Sequence, residues 1–479
     1  MLLRNGYVLQ TDENHIYFEK LDIRTENGEI VEMGTRLTQG QNEDMVDLDG
    51  DLVLPGMVNS HYHSYTNIIR GTSFGEPLEL WSNDTVALGG VLSNRDMELS
   101  ASLGIIEMLK AGVTACVDHI PHLGKASSIA EVYRSTGFKA GLAPMLHNIK
   151  DRDLLYNMDR EVPKSSGPSP FPSTDEYVKF YKNFISEFNN PDGNTRVMVG
   201  INSPQRADDE LLEASSQLAR DHDLPVHSHL LESRWQRLSA DHASSPVEKM
   251  DRHGLLTHKT SLAHCVWLTA SEVDLLAKRG VTAITNPTSN HFLGSGVFPA
   301  RQFLEKGIPL TLGSDGANCG TNHNMLEILR FFLLVERNSN PDYEGWIGLN
   351  KGYEMITKNA SSILAFSRPA GEIRINHSAD LVVVDRTHLL DILDSSLPTQ
   401  LIFNTSQLDV KHVLINGGFV MQNREILGLS EVEIRKEIAE RKRELEGSMK
   451  KAIEKASKDK EPFQRTFRGL KEKFNCYDK

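Results

Sequence analysis

Eight short apolar runs, each followed by amphipathic helical sequence, fill the chain from residue 52 to about residue 330, and this alternation limits the fold more than any other feature. They read LVLPGMVNSH (52–61), VTACVDH (113–119), FKAGLAPML (138–146), RVMVGINSP (196–204), LPVHSHL (224–230), TSLAHCV (260–266), VTAITNP (281–287) and IPLTLGSD (308–315). Nearly unbroken apolarity marks strands buried on both faces, as a parallel sheet covered by helices requires. Eight such strands are the number that closes a (β/α)8 barrel of the TIM type, an α/β fold. The intervening helices carry their own punctuation: Thr269 and Glu272 have capping-box spacing, and the apolar period after them stops at Gly280.

The chain ends have a different texture. Short alternating segments and tight turns, such as NGEIVEMG (27–34), predict antiparallel β, and the same style returns in ADLVVVD (379–385) and VKHVLINGGFV (410–420). Residues 1–54 and 369–427 are therefore expected to share a small β-sandwich beside a barrel spanning 55–368. Residues 428–479 form a charged helical extension, opened by a capping box at Ser430 and Glu433, and are expected to be solvated or to lie at an interface. From Ser430 onward the chain has 15 basic against 11 acidic residues. The Pro/Ser-rich stretch SSGPSPFPSTDE (165–176) reads as a long loop over one barrel face.

A formal net charge of −13 argues against nucleic acid as a partner, because phosphate binding needs clustered Lys and Arg to displace counterions. No apolar run approaches the roughly 18 residues of a membrane span, and the opening MLLRNGYVLQ lacks the pattern of a secretory leader, so a cytoplasmic enzyme with no membrane partner is expected. The four cysteines (Cys116, Cys265, Cys319, Cys476) form no CxxC pair and read as reduced, packed thiols.

The chemistry concentrates at strand ends. His61 and His63 are two apart at the end of the first run, so strand alternation points both the same way, and two converging imidazoles are half of a metal site. The fifth run ends in His227-Ser228-His229-Leu230-Leu231-Glu232, the sixth reaches His264 and the eighth ends in Asp315. All fall at the C-terminal strand ends, the barrel face on which active sites are built. Three histidines, a carboxylate and a spare acid match a catalytic metal site that keeps a position open for water.

These motifs resemble those of the metal-dependent amidohydrolase superfamily, in its mononuclear branch of aromatic-ring deaminases and triazine hydrolases. The resemblance runs over most of the chain: LPGMVNSHYH, Arg70-Gly71 with Glu76-Pro77-Leu78 and Trp81, GVTACVD (112–118), HLLE (229–232), AHC (263–265), NPTSNHFLGSG (286–296), GSDG (313–316) and GEIRINHSADLVVVD (371–385). It implies His61, His63, His229 and Asp315 as ligands of one divalent metal, zinc or else iron, with His227 as the alternative on the fifth strand. The fourth run, RVMVGINSP, has neither the Lys nor the Glu that bridges two metals in other members. Glu232, His264 and Asp315 are then the catalytic groups. Asp315 takes a proton from the activated water, Glu232 protonates a ring nitrogen and His264 steadies the oxygen. Arg70, Trp81, His119, His291 and Asn318 are candidates for substrate binding, and His122 lies in a similar position.

The expected activity is hydrolytic deamination of an amino-substituted nitrogen heterocycle of purine, pyrimidine, pterin or triazine type, by a homodimer or larger homo-oligomer. The same machinery suits a hydrolase that removes a chloride, alkylamine or urea-type group instead. A non-catalytic scaffold is the third reading, and the presence of every ligand position argues against it.

Overall fold

The computed structural model describes residues 1–12, 15–158, 169–239, 245–390 and 392–474. Its centre is the expected run of parallel strands. They are β1 (Met57–His63), β2 (Val113–Ile120), β3 (Lys139–Leu146), β4 in two pieces (Thr195–Val197 and Val199–Ile201), β5 (Val226–Leu230), β6 (Thr260–His264), β7 (Thr282–Thr285) and β8 (Leu310–Leu312). Each pairs in parallel with its sequence neighbour. Just beyond β8, Asp315 pairs with Tyr62 and Gly316 with His63, so the last strand returns to the first. Every residue of β1, β2 and β3 is buried, the two-sided burial that their apolar sequences require. A cluster of Val58, Val117, Ala143, Ala263 and Ile284, drawn from five strands, and Met198, at the break between the two pieces of β4, packs together as one core.

The first apolar run differs from expectation in one respect. LVLPGMVNSH is two strands, because Leu52–Pro55 leaves for the other sheet before β1 begins at Met57. Gly56 allows the break: a Cβ there would sit 2.1 Å from Thr114 Oγ1, closer than any side chain can approach. Leu52–Pro55 joins a sheet built from both chain ends. In order its strands are Glu29–Gly34, Ile16–Glu26, Leu2–Thr11, Leu52–Pro55, Leu381–Val384, Val410–Ile415, Gly418–Gln422 and Glu425–Ile426, with Met45–Asp47 beside Leu2–Thr11. They form one hydrogen-bonded path around a core that includes Leu3, Val8, Ile23, Val53, Leu381 and Leu414. Lys139 of β3 joins the two parts through a buried ion pair of 2.6 Å with Asp380.

The capping box at Thr269 and Glu272 forms as the spacing predicts, opening Ala270–Arg279, which ends on Gly280 in the left-handed region at φ 69°, whereas at Ser430 only the half in which Glu433 N–H donates to Ser430 Oγ, at 3.3 Å, is made. Residues 165–168 of the Pro/Ser-rich stretch lie outside the described residues. The stretch gives way to helix earlier than expected, since Ser173 caps a helix over Thr174–Phe188. Two further helices matter for the site, α1 (Leu78–Val91) and α2 (Asn94–Lys110). The charged extension is one helix, Glu431–Phe474, lying along its own chain: Arg441 Nε is 2.6 Å from Asp96 Oδ1, and Arg95 pairs with Glu437 at 2.6 Å. Cys116, Cys265 and Cys319 are buried and free, and Cys476 is outside the described residues. Among the described residues, no helix is long and apolar enough to cross a membrane.

Candidate metal centre

The strand ends bring four side chains to one point. His63 Nε2 is 3.2 Å from Asp315 Oδ1, His61 Nε2 is 3.6 Å from the same oxygen, and His229 Nε2 is 3.4 Å from His63 Nε2. Ligands bonded to one ion at about 2.1 Å in a tetrahedron stand about 3.4 Å apart, so the separations fit a shared cation. His61 Nε2 is buried and has no hydrogen-bond partner, a cost to the fold unless something else uses its lone pair. The donor set of three imidazoles and one carboxylate suits a divalent metal, and His61, His63, His229 and Asp315 are the residues that could hold it.

The surroundings aim these rings. His63 Nδ1 lies 2.6 Å from the His119 carbonyl, and His229 Nδ1 lies 2.6 Å from the Asn202 carbonyl. A carbonyl only accepts, so each Nδ1 carries the proton and each Nε2 is left as a lone pair pointing into the cluster. His61 reaches the same state through a relay: its Nδ1 is 2.8 Å from His227 Nε2, and His227 Nδ1 is 2.8 Å from Ser261 Oγ. His227 therefore stands behind His61. Asp315 Oδ2 accepts from Ser289 Oγ at 2.7 Å.

Burial, then the neighbouring imidazoles, push His61 and His229 well below the ordinary histidine range, and His227 falls to about 3 for the same reasons. Neutral imidazoles are the form that binds metal. Burial alone would depress His63 and raise Asp315, but their mutual contact outweighs it, raising His63 and holding Asp315 below the usual carboxylate range. Burial, reinforced by the charge of Asp315, raises Glu232 well above that range. Ser295 Oγ donates to Glu232 Oε1 at 3.2 Å. His264 Nε2 stands between the two acids, 3.5 Å from Glu232 Oε2 and 3.8 Å from Asp315 Oδ2, while its Nδ1 is 2.9 Å from Asn290 Oδ1. Three residues here adopt the left-handed backbone that L side chains avoid: Leu231 (φ 44°), His264 (φ 75°) and Asp315 (φ 60°). Such conformations cluster where geometry serves a site.

A cavity of about 950 Å³ opens onto this cluster, lined by His63, His229, Glu232, His264 and Asp315 at one part and by Trp81, His122, His147, Arg206 and Trp235 elsewhere. Trp81 and His122 are thus brought to it. The remaining candidates are not. Arg70 turns away, its guanidinium bound by Glu107 and by Asn67 Oδ1, because both acceptors lie on its own side of the barrel rim. His291 sits on an exposed helical turn with Nδ1 held by the Pro287 carbonyl at 2.7 Å, and Asn318 is buried with Nδ2 on Thr85 Oγ1 at 2.9 Å. His119 lies among the clustered histidines, its ring centroid 4.6 Å from that of His229 and both ring nitrogens without partners, but it does not line the cavity. Sequence reasoning missed Glu79, on α1. Its carboxylate accepts from Ser233, its second oxygen is buried without a partner, and burial pushes it up to about 7. It also missed Ser289, Asn290 and Ser295, although all three lie inside the motif NPTSNHFLGSG.

With fold and site in place, the profile of the Amidohydrolase family matches residues 52–420, and the chain belongs to that family. It is a hydrolase acting on C–N bonds with a divalent-metal site. Among curated relatives, it is 29% identical over 405 residues to a 5-methylthioadenosine/S-adenosylhomocysteine deaminase of Acetivibrio thermocellus, covering 83% of this chain and 88% of the relative. It is 29% identical over 413 residues to a 5'-deoxyadenosine deaminase of Methanothermobacter thermautotrophicus, covering 85% and 90%. The fold matches the crystal structure of an adenosine deaminase of Xanthomonas campestris with bound zinc, at a TM-score of 0.82 and 23% identity over 93% of this chain and 98% of that one. It also matches an atrazine chlorohydrolase of Arthrobacter aurescens complexed with zinc, at 0.80 and 22% over 91% and 99%.

Proposed function

We propose that the chain is a zinc-dependent deaminase that hydrolyses the exocyclic amino group of a purine-like heterocycle carried in a nucleoside-sized molecule. The observation that carries this reading is a buried acid, Glu232, whose pKa burial raises, in the same cavity as His63, His229, His264 and Asp315. Ring deamination needs such an acid, because attack at the amino-bearing carbon leaves charge on the adjacent ring nitrogen. The names of the two curated relatives above, a 5-methylthioadenosine/S-adenosylhomocysteine deaminase and a 5'-deoxyadenosine deaminase, support the substrate class. A cavity of about 950 Å³ is near the upper end for small-molecule sites and leaves room beyond a bare base.

A divalent ion held by His61, His63, His229 and Asp315 supplies a Lewis acid that brings the pKa of water from 15.7 towards about 7. The chain's own residues do the rest. His264 donates its Nδ1–H to Asn290 Oδ1, which leaves Nε2 to accept an O–H from the attacking water and to orient it between the two acids. Asp315, held ionised and steadied by Ser289, takes the water's proton. Glu232 delivers its proton to the ring nitrogen beside the reacting carbon; the proton taken by Asp315 passes to the departing amino group, which leaves as ammonia, and the proton of the newly bonded hydroxyl returns Glu232 to its acid form as the carbonyl forms. Glu79, with one unpartnered oxygen in the cavity wall, accepts from a hydroxyl or amino group elsewhere on the substrate. Reduced cysteines and the family resemblance favour a cytoplasmic homo-oligomer.

Zinc-loaded protein should release ammonia from one or more aminopurine nucleosides in a panel that also holds aminopyrimidines, aminopterins, aminotriazines and chlorotriazines. Chloride release from chlorotriazines with no ammonia from any amino compound would overturn the reading.

A further inference from the structure

The C-terminal helix lies beyond residues 52–420 matched by the family, and its composition predicts solvation, yet it buries a line of side chains that includes a lysine and a phenylalanine near its end. Lys460 is 8% exposed and Phe463 is 5% exposed. Lys460 Nζ lies 2.8 Å from both carboxylate oxygens of Glu76, just before α1, and 2.7 Å from Asp84 Oδ2 within α1. An ammonium shared between two carboxylates at this depth holds both in place, because its removal leaves them facing each other unpaired. Three residues on, and therefore on the same helix face, Phe463 packs with Leu155 and Trp235 and lines the cavity that holds the metal ligands. One turn further, the ring of Phe467 packs against Trp235 at a tilt of 40°, with centroids 3.8 Å apart. Trp235 belongs to the segment Arg234–Ser239, which begins two residues after Glu232, so the helix closes a wall that continues into the catalytic loop.

We infer that Phe463 contacts the substrate as part of the cavity wall, that Lys460 keeps it there, and that this residue sets how bulky a group attached to the heterocycle the site admits. The inference rests on the deaminase reading for the identity of the substrate, and its test separates the two.

Zinc-loaded wild type, F463A, F463L and K460M are titrated with purine ribosides that lack the amino group and carry 5'-substituents of increasing size. Their 6-amino counterparts are assayed for turnover in parallel. In F463A the affinity ratio of bulky to compact probe should rise about tenfold. F463L should restore most of the wild-type ratio, and K460M should shift it in the same direction as F463A. An unchanged ratio in folded, metal-replete F463A overturns the inference. If F463A does not fold, an unchanged ratio in K460M overturns it. Probes that bind with shifted ratios but amino counterparts that are never deaminated leave Phe463 in the wall and overturn the deaminase reading. A wild-type chain that binds none of the probes overturns both.

Discussion

Glu232 distinguishes this site from a bare metal cage. It sits three residues after His229, just past the end of β5, its pKa raised by burial and by the nearby charge of Asp315, and it belongs to neither of the groups, His61 with His119 and His229 or His61 with His264 and Asp315, whose ligand atoms lie within 4.8 Å of one another. Replacing it with glutamine keeps the shape, removes the transferable proton and leaves the metal cluster intact. E232Q should therefore bind metal as the wild type does, yet lose about 10²–10⁴-fold in kcat. Steady-state kinetics beside metal analysis check this, and turnover near the wild-type rate would remove Glu232 from the chemistry. The single residues most legible in the sequence were those whose spacing is itself geometry: the HxH at the end of β1, HxxE after β5 and the Asp at the end of β8. Arg70 and Asn318 were not legible, because whether a polar side chain turns into a cavity or onto a neighbour depends on partners such as Glu107 and Thr85 far away in the chain.

Elements carry residues to the site from outside the strands, and α1 is the clearest case. It sets Glu79 against Ser233 of the loop after β5, where burial pushes the carboxyl up to about 7 from an ordinary 4.5. Between those values the folded chain keeps a proton that the unfolded chain has lost, so this group makes stability fall as pH rises from about 4.5 to about 7, with no contribution to the slope outside that window. In E79Q that component is gone. Thermal unfolding across the window should show wild type losing Tm relative to E79Q as pH rises, and a Tm difference that stays constant would contradict the burial of this carboxyl. The strands and most helices were legible because two-sided apolarity and capping boxes are local signals. The split at Gly56 was not, since a close approach to Thr114 forces it and no periodicity reports that. The C-terminal helix was legible as a helix, but its inward face was hidden: the few buried side chains, Lys460 and Phe463 among them, are outvoted by a charged majority in any composition-based reading.

At the scale of the molecule, a closed parallel barrel draws residues from 61 to 315 into one cluster, and the sheet made from both chain ends braces it through Lys139 and Asp380. Barrel, cavity and acid pair have no function as a hydrolase unless a cation occupies the histidine cluster. Metal content of the purified chain is the most direct test of that claim. Wild type and E232Q, purified with zinc supplied, should each carry close to one divalent ion per chain, and H229A should carry almost none while remaining folded by circular dichroism. A wild-type chain without stoichiometric metal, or an H229A chain that retains it in full, would contradict the account.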